Sequence, residues 1–114
     1  MDANNLVLLR GTLTSEPVVR ELPSGSTVTQ LELTTQVAGR ASSVPVALHD
    51  RSVTLTAGDE VVITGHVNRR FFRAGGVTQS RTEVIATDVI KATRRRTVER
   101  AVGRLIEVAT PVVQ

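Results

Sequence analysis

Apolar and polar side chains alternate along most of this chain, in short runs of Val, Thr, Leu and Ile that break at Gly or Pro. No helical stripe appears before the last fifth. Alternation with a period of two places one set of side chains on each face of an extended strand. Strands patterned this way bury one face against other strands, which restricts the chain to an all-β architecture.

The first strand spans about Asn5 to Thr14, with Val7, Leu9, Gly11 and Leu13 on one face and Leu8, Arg10 and Thr12 on the other. Pro17 interrupts it, and a short strand from Val18 to Leu22 leads into the tight turn Pro23-Ser24-Gly25. Thr27 to Val37 alternates next, with Val28, Gln30, Glu32 and Thr34 opposed to Thr29, Leu31, Leu33 and Thr35. After a loop from Ala38 to Ser42, the strand Ser43 to His49 turns Val44, Val46 and Leu48 to the core and Ser43, Pro45, Ala47 and His49 outward. Asp50 to Thr56 is compatible with one helical turn. Ala57-Gly58-Asp59-Glu60 then turns the chain into the strand Val61 to Arg73. A hairpin at Ala74-Gly75-Gly76 returns it along Val77 to Lys91, where Glu83, Ile85, Thr87 and Val89 oppose Val84, Ala86, Asp88 and Ile90. Five or six strands at this spacing, the first of them bent, predict a small closed five-stranded barrel of the OB type.

Thr93-Arg94-Arg95-Arg96 marks a shift in composition. Beyond it Val98, Ala101, Val102, Leu105 and Ile106 recur at the spacing of an amphipathic helix from Val98 to Ala109, with Thr97 as N-cap and Pro111 just past its end. That stripe must be buried, either on the barrel or against another subunit. The arginine run before it either binds nucleic acid or is solvated surface.

Composition narrows the chemistry. At 114 residues the chain is long enough for one domain with a closed aliphatic core. It has no Cys, which excludes disulfides and thiolate chemistry, and its two histidines, His49 and His66, do not form a zinc motif. Asp50, Asp59, Glu60 and Asp88 are scattered rather than clustered as a two-metal nuclease requires. No Gly-rich phosphate loop ends in Lys-Ser or Lys-Thr. The expectation is a protein without catalytic residues, bound metal, cofactor or small-molecule substrate. No apolar run is long enough to span a bilayer, and Met1-Asp2-Ala3 lacks the features of a signal peptide. A soluble cytoplasmic protein with no membrane partner is expected.

Thirteen of the fourteen basic residues are Arg. The bias suits nucleic acid, because guanidinium groups fork onto phosphate and stack on bases, but a GC-rich coding sequence produces the same bias. The two Phe residues are more specific. In a chain without Trp or Tyr, they sit together in Asn68-Arg69-Arg70-Phe71-Phe72-Arg73. Parity along the strand from Val61 puts Val61, Ile63, Gly65, Val67 and Phe71 on the apolar face, so Phe71 is expected in the core. Thr64, His66, Asn68, Arg70 and Phe72 face outward, so Phe72 either stacks on a nucleobase beside arginines or plugs a subunit interface.

The ordered elements Asn5-x-Val7-x-Leu9-x-Gly11-x-Leu13, Pro17-x-x-Arg20 and Pro23-x-Gly25-x-x-Val28 are similar to the opening of bacterial single-stranded DNA-binding proteins. Val46-Ala47-Leu48-His49 resembles the third core strand of that family, and Gly58-Asp59-Glu60-Val61-Val62-Ile63-Thr64-Gly65 the turn and strand before its basic hairpin. The resemblance covers about residues 5 to 90. It implies an OB barrel assembled as a homo-oligomer, tetramer or dimer, that binds single-stranded DNA in replication, repair or recombination at the nucleoid. It also implies a stacking role for Phe72 and a base-contact position at His49, where a barrel-rim histidine is the alternative. Arg70, Arg73, Asn68 and His66 complete the DNA-binding set on this hairpin, with Arg10 and Arg81 either further groove charges or isolated surface arginines. The chain then divides into an OB-fold nucleic-acid-binding domain over residues 1–92 and a basic segment with its helix over 93–114.

Three departures from the family pattern matter. The loop at Ala38 to Ser42 and the strand start at Ser43 lack the aromatics that usually stand there, which shifts binding toward arginine and salt sensitivity. The stretch between His49 and Gly58 is shorter than the usual helical connection. Ala109 to Gln114 has neither the linker nor the acidic tip with which the family recruits other enzymes, the pattern of an accessory paralogue. An OB-fold interaction subunit that has lost most DNA binding is the alternative.

Overall fold

A computed structural model describes residues 3–112. The sequence expectations about the two ends therefore fall partly on Met1, Asp2, Val113 and Gln114, outside the described residues. Six strands precede one helix: β1 Val7–Leu13, β2 Val18–Glu21, β3 Thr27–Val37, β4 Arg40–His49, β5 Glu60–Ala74, β6 Val77–Lys91 and α1 Arg95–Ala109.

The sheet runs β1-β5-β6-β4-β3, and β1 closes it by pairing with β3 at Thr12–Thr34 and Leu13–Leu33. The five strands form an OB barrel. Past Leu13 the chain breaks at Pro17, and β2 takes over the same edge of β3, pairing Val18–Gln30 through Glu21–Thr27. Two short segments thus act as one bent strand. Closure brings β1 hard against β3, and a Cβ at Gly11 would run into the Thr34 carbonyl.

Alternation decides what lies inside. Leu13, Leu31, Leu33, Val46, Leu48, Val61, Ile63, Val84 and Ala86 make the buried core, with Val7, Leu9 and Val44 packed against it. Asp50 to Thr56 has no helical turn: the segment runs as irregular chain and lays Val53 and Leu55 onto the core. Two apolar side chains fill the space that a turn of helix was expected to cover.

The expected loop from Ala38 to Ser42 is a two-residue turn. Ala38 and Gly39 both have positive φ (51° and 77°), the geometry that joins twisted antiparallel strands, so β4 begins at Arg40 rather than Ser43. β1 is shorter than expected by two residues at its start and one at its end.

β6 departs from simple alternation. Thr64 pairs with Asp88 but Gly65 with Ala86, leaving Thr87 as an extra residue in β6. Beyond this bulge the faces exchange: Val89 packs against the core and Ile90 lies on the outer side, opposite Val62. The expected grouping of Val89 with Glu83 and Ile85 is therefore corrected.

Helix α1 packs across the outside of β5 and β6, where Ala101 is buried and shares a cavity with Leu6, Thr64, Gly65, Leu105 and Val108. Its start is earlier than expected. Arg94 holds the cap position with no side-chain hydrogen bond, and Thr97 lies inside the first turn, one turn before Ala101 on the half-buried face. The chain leaving β6 is already turning, with the Arg94 N–H donating to Lys91 O and the Val98 N–H to Arg94 O, so the helix begins before Thr97 can cap it. No helix of the described residues is long and apolar enough to cross a membrane.

Candidate nucleic-acid interface

The barrel ends before its longest hairpin does. β1 stops pairing with β5 at Val7–Gly65, after which the Asn5 side chain takes both backbone groups of Val67, donating to its carbonyl (2.7 Å) and accepting from its N–H (2.9 Å). On the other side β4 touches β6 only at Val46–Val84 and Ala47–Ile85. Residues 69–82 therefore project as a two-stranded ribbon in which every residue is exposed.

This geometry corrects the placement of Phe71. Its parity is inward as expected, yet no barrel interior remains at its height, and it is 65% exposed. Phe72, on the opposite face, is 37% exposed. Each ring carries its own cation two residues earlier: Arg69 lies over Phe71 at 5.1 Å from the centroid, and Arg70 over Phe72 at 5.5 Å. Arg69 also donates to Ser80 Oγ (3.1 Å), and Arg73 to the Gly76 carbonyl at the tip (2.9 Å). Between Asn68 and Thr82 the ribbon holds four arginines and no carboxylate.

The Arg70 face runs on into a groove of about 330 Å³ across the barrel wall. Its floor is Val28 and Ala47, and its polar lining is Arg20, Gln30, His49, Arg70 and Glu83. Strand register makes the row: Arg20 pairs with Val28, Val28 with His49 and Gln30 with Ala47. Arg70 Nε lies 3.3 Å from Glu83 Oε1, whose side chain is only 10% exposed. Phe72 stands one step farther out on the Arg70 face.

The structure thus brings His49 and Arg70 into one groove and sets Phe72 at its end. Arg81 faces Arg70 across the ribbon, and Asn68 and His66 precede Arg70 on the same face of β5. Arg73 sits at the tip, on the Phe71 side. Arg10 does not line the groove: it projects from β1 and donates to Glu60 Oε1 at 2.9 Å. Sequence reasoning passed over Arg20 and Gln30 as site residues. Counting the β2–β3 register back from Pro23-Ser24-Gly25 is the signal that finds them, because it sets Arg20 beside Val28. Among the described residues no group of His, Asp and Glu could hold a metal ion.

An apolar floor bordered by arginines and continued by an aromatic ribbon can hold a flat, extended, anionic chain. Fold and groove together define an OB-fold barrel of the open-groove, ligand-binding kind. The chain belongs to the single-strand binding protein family, whose model matches residues 4–92. No curated protein matches it. Among solved structures, the Plasmodium falciparum SSB complex with ssDNA is similar, with a TM-score of 0.69 and 19% identity over 80% of this chain and 96% of that one. That likeness is one of fold. Helix α1 lies beyond the family match.

Proposed function

We propose that the protein binds single-stranded DNA without catalysis and with little sequence preference, in bacterial replication, repair or recombination at the nucleoid. The observation that carries the proposal is the continuity of one face: Phe72 and Arg70 on the ribbon lead directly into the groove of His49, Val28 and Arg20. Family membership supports it. Bases stack on Phe72, with His49 as a smaller platform, while Arg70, Arg73, Arg81 and Arg20 neutralise phosphates. Asn68 and His66 extend the polar face back along β5.

Phe72→Trp tests this directly, since the natural chain has no Trp or Tyr and the variant has a single emitter. Oligo-dT should quench its emission saturably, with the midpoint of an independent binding titration. Phe72→Ala should weaken binding by about 1–3 kcal/mol, the worth of one stacked base. Binding that leaves the indole emission of the Phe72→Trp variant unchanged contradicts the proposed site.

One observation favours a second reading, an assembly subunit. β1 pairs with β5 along Val7 to Thr12 but with β3 only at Thr12 and Leu13, so its other edge from Val7 to Gly11 is open, with Leu8 47% exposed. An open edge can pair with a second copy of itself. Light scattering separates the two: assembly without any oligonucleotide binding supports the second reading alone.

A further inference from the structure

The segment Arg94 to Arg104 holds five arginines and one carboxylate, Glu99. Arg95 is within 3.7 Å of Glu99, and Arg104 donates to Asp88 Oδ1 at 3.4 Å. Arg94, Arg96 and Arg100 have no carboxylate partner among the described residues. This charge works against the helix that carries it. The first turn contains no acid, the cap has no side-chain bond, and cations at a helix N-terminus oppose its dipole.

The arginines are also arranged. Arg96, Arg100 and Arg104 are four residues apart, which places them on one flank of α1. The Arg104–Asp88 bond ties the C-terminal member of this row to β6, and Arg100 and Arg96 follow it outward toward solvent. On the far side of β6, the bulge residue Thr87 offers its carbonyl to the Arg51 guanidinium, and Thr87 also lines the cavity that contains Ala101 and Arg104. Arg51 lies two residues along the chain from His49, which lines the groove. Exposed arginines therefore run from Arg70, past His49, through Arg51 to Arg104, Arg100 and Arg96.

We propose that the arginine flank of α1 is a second phosphate-binding surface, which takes up the same DNA strand as it leaves the groove at His49. The occupant is a polyanion of extended reach: a line of guanidinium groups on one helix flank, continuous with an open groove, matches the backbone of one strand. The inference rests on the proposed single-strand binding and adds a direction and a length to it.

The test uses the full chain and the double variant Arg96→Ala/Arg100→Ala. Each is titrated with oligo-dT of about 8 nucleotides, which the groove alone can hold, and with one about three times as long. On the long strand, removal of two phosphate contacts should flatten the dependence of log affinity on log salt by about 1.4, and cost roughly tenfold in affinity at 0.15 M salt. On the short strand, affinity and slope should stay as in the natural chain. The melting temperature should hold or rise, because Arg96 opposes the dipole and Arg100 makes no ion pair among the described residues. Equal losses on both strands, or no loss on either, overturn the helix track and leave single-strand binding standing. Failure of the natural chain to bind either strand overturns the underlying function, and the track with it.

Discussion

Glu83 stands in a groove otherwise lined with Arg20, His49 and Arg70, and its carboxylate is held 3.3 Å from Arg70. With Arg70 half exposed, that pair adds at most about 1 kcal/mol to stability. On the proposed reading its larger effect is on binding, because it occupies the cation proposed to meet phosphate and adds repulsion. Glu83→Gln should therefore tighten oligo-dT binding by about 1 kcal/mol, roughly fivefold at low salt, and barely shift the melting temperature. Weaker binding in this variant would mean that Glu83 orients Arg70 rather than restrains it. At this scale the sequence was partly legible. Parity assigned Phe72 and Arg70 to one face because adjacent strand residues must point oppositely, and the structure keeps that assignment. Parity could not reveal how far the barrel extends along β5, so Phe71, on the inward side, was expected in a core that ends before it.

The elements depend on close approaches of backbone at Gly11 and at Gly65. Beside the β6 bulge, a Cβ on Gly65 would strike the Ile85 carbonyl of the neighbouring strand. Gly65→Ala should cost about 1–3 kcal/mol through overpacking, read as a lower midpoint in urea. Because β6 carries Arg81 and Glu83 past the groove, oligo-dT affinity should fall as well. An unchanged midpoint would show that the bulge is soft enough to yield. Strand existence and order were legible, since each run of alternation is bounded by Gly or Pro. The bulge was not, because Thr87 resembles any other polar strand position until its partner is known. The helix start was missed for a related reason. Thr97 is a good cap by residue type, but the turn from Lys91 to Arg94 commits the chain to helix from Arg95, before Thr97 is reached.

For the whole molecule, the barrel sets a rigid wall and the β5–β6 ribbon extends its binding face into solvent. Closure itself was legible from strand count and from the bend at Pro17, which frees one edge of β3 for β2. The alignment of Arg20, Val28 and His49 into one row needed the three-dimensional register. If bases stack on Phe72 alone among the aromatics, as proposed, binding must lean on arginine, so it should be steeply salt-dependent and still prefer exposed bases. The most direct measurement is an anisotropy titration of the full chain with labelled oligo-dT and with a duplex of the same length, at several salt concentrations. The account predicts tighter binding to the single strand at every salt, with log affinity falling linearly in log salt by about 0.7 per neutralised phosphate. Equal affinity for the duplex, or no binding to oligo-dT at low salt, would contradict it.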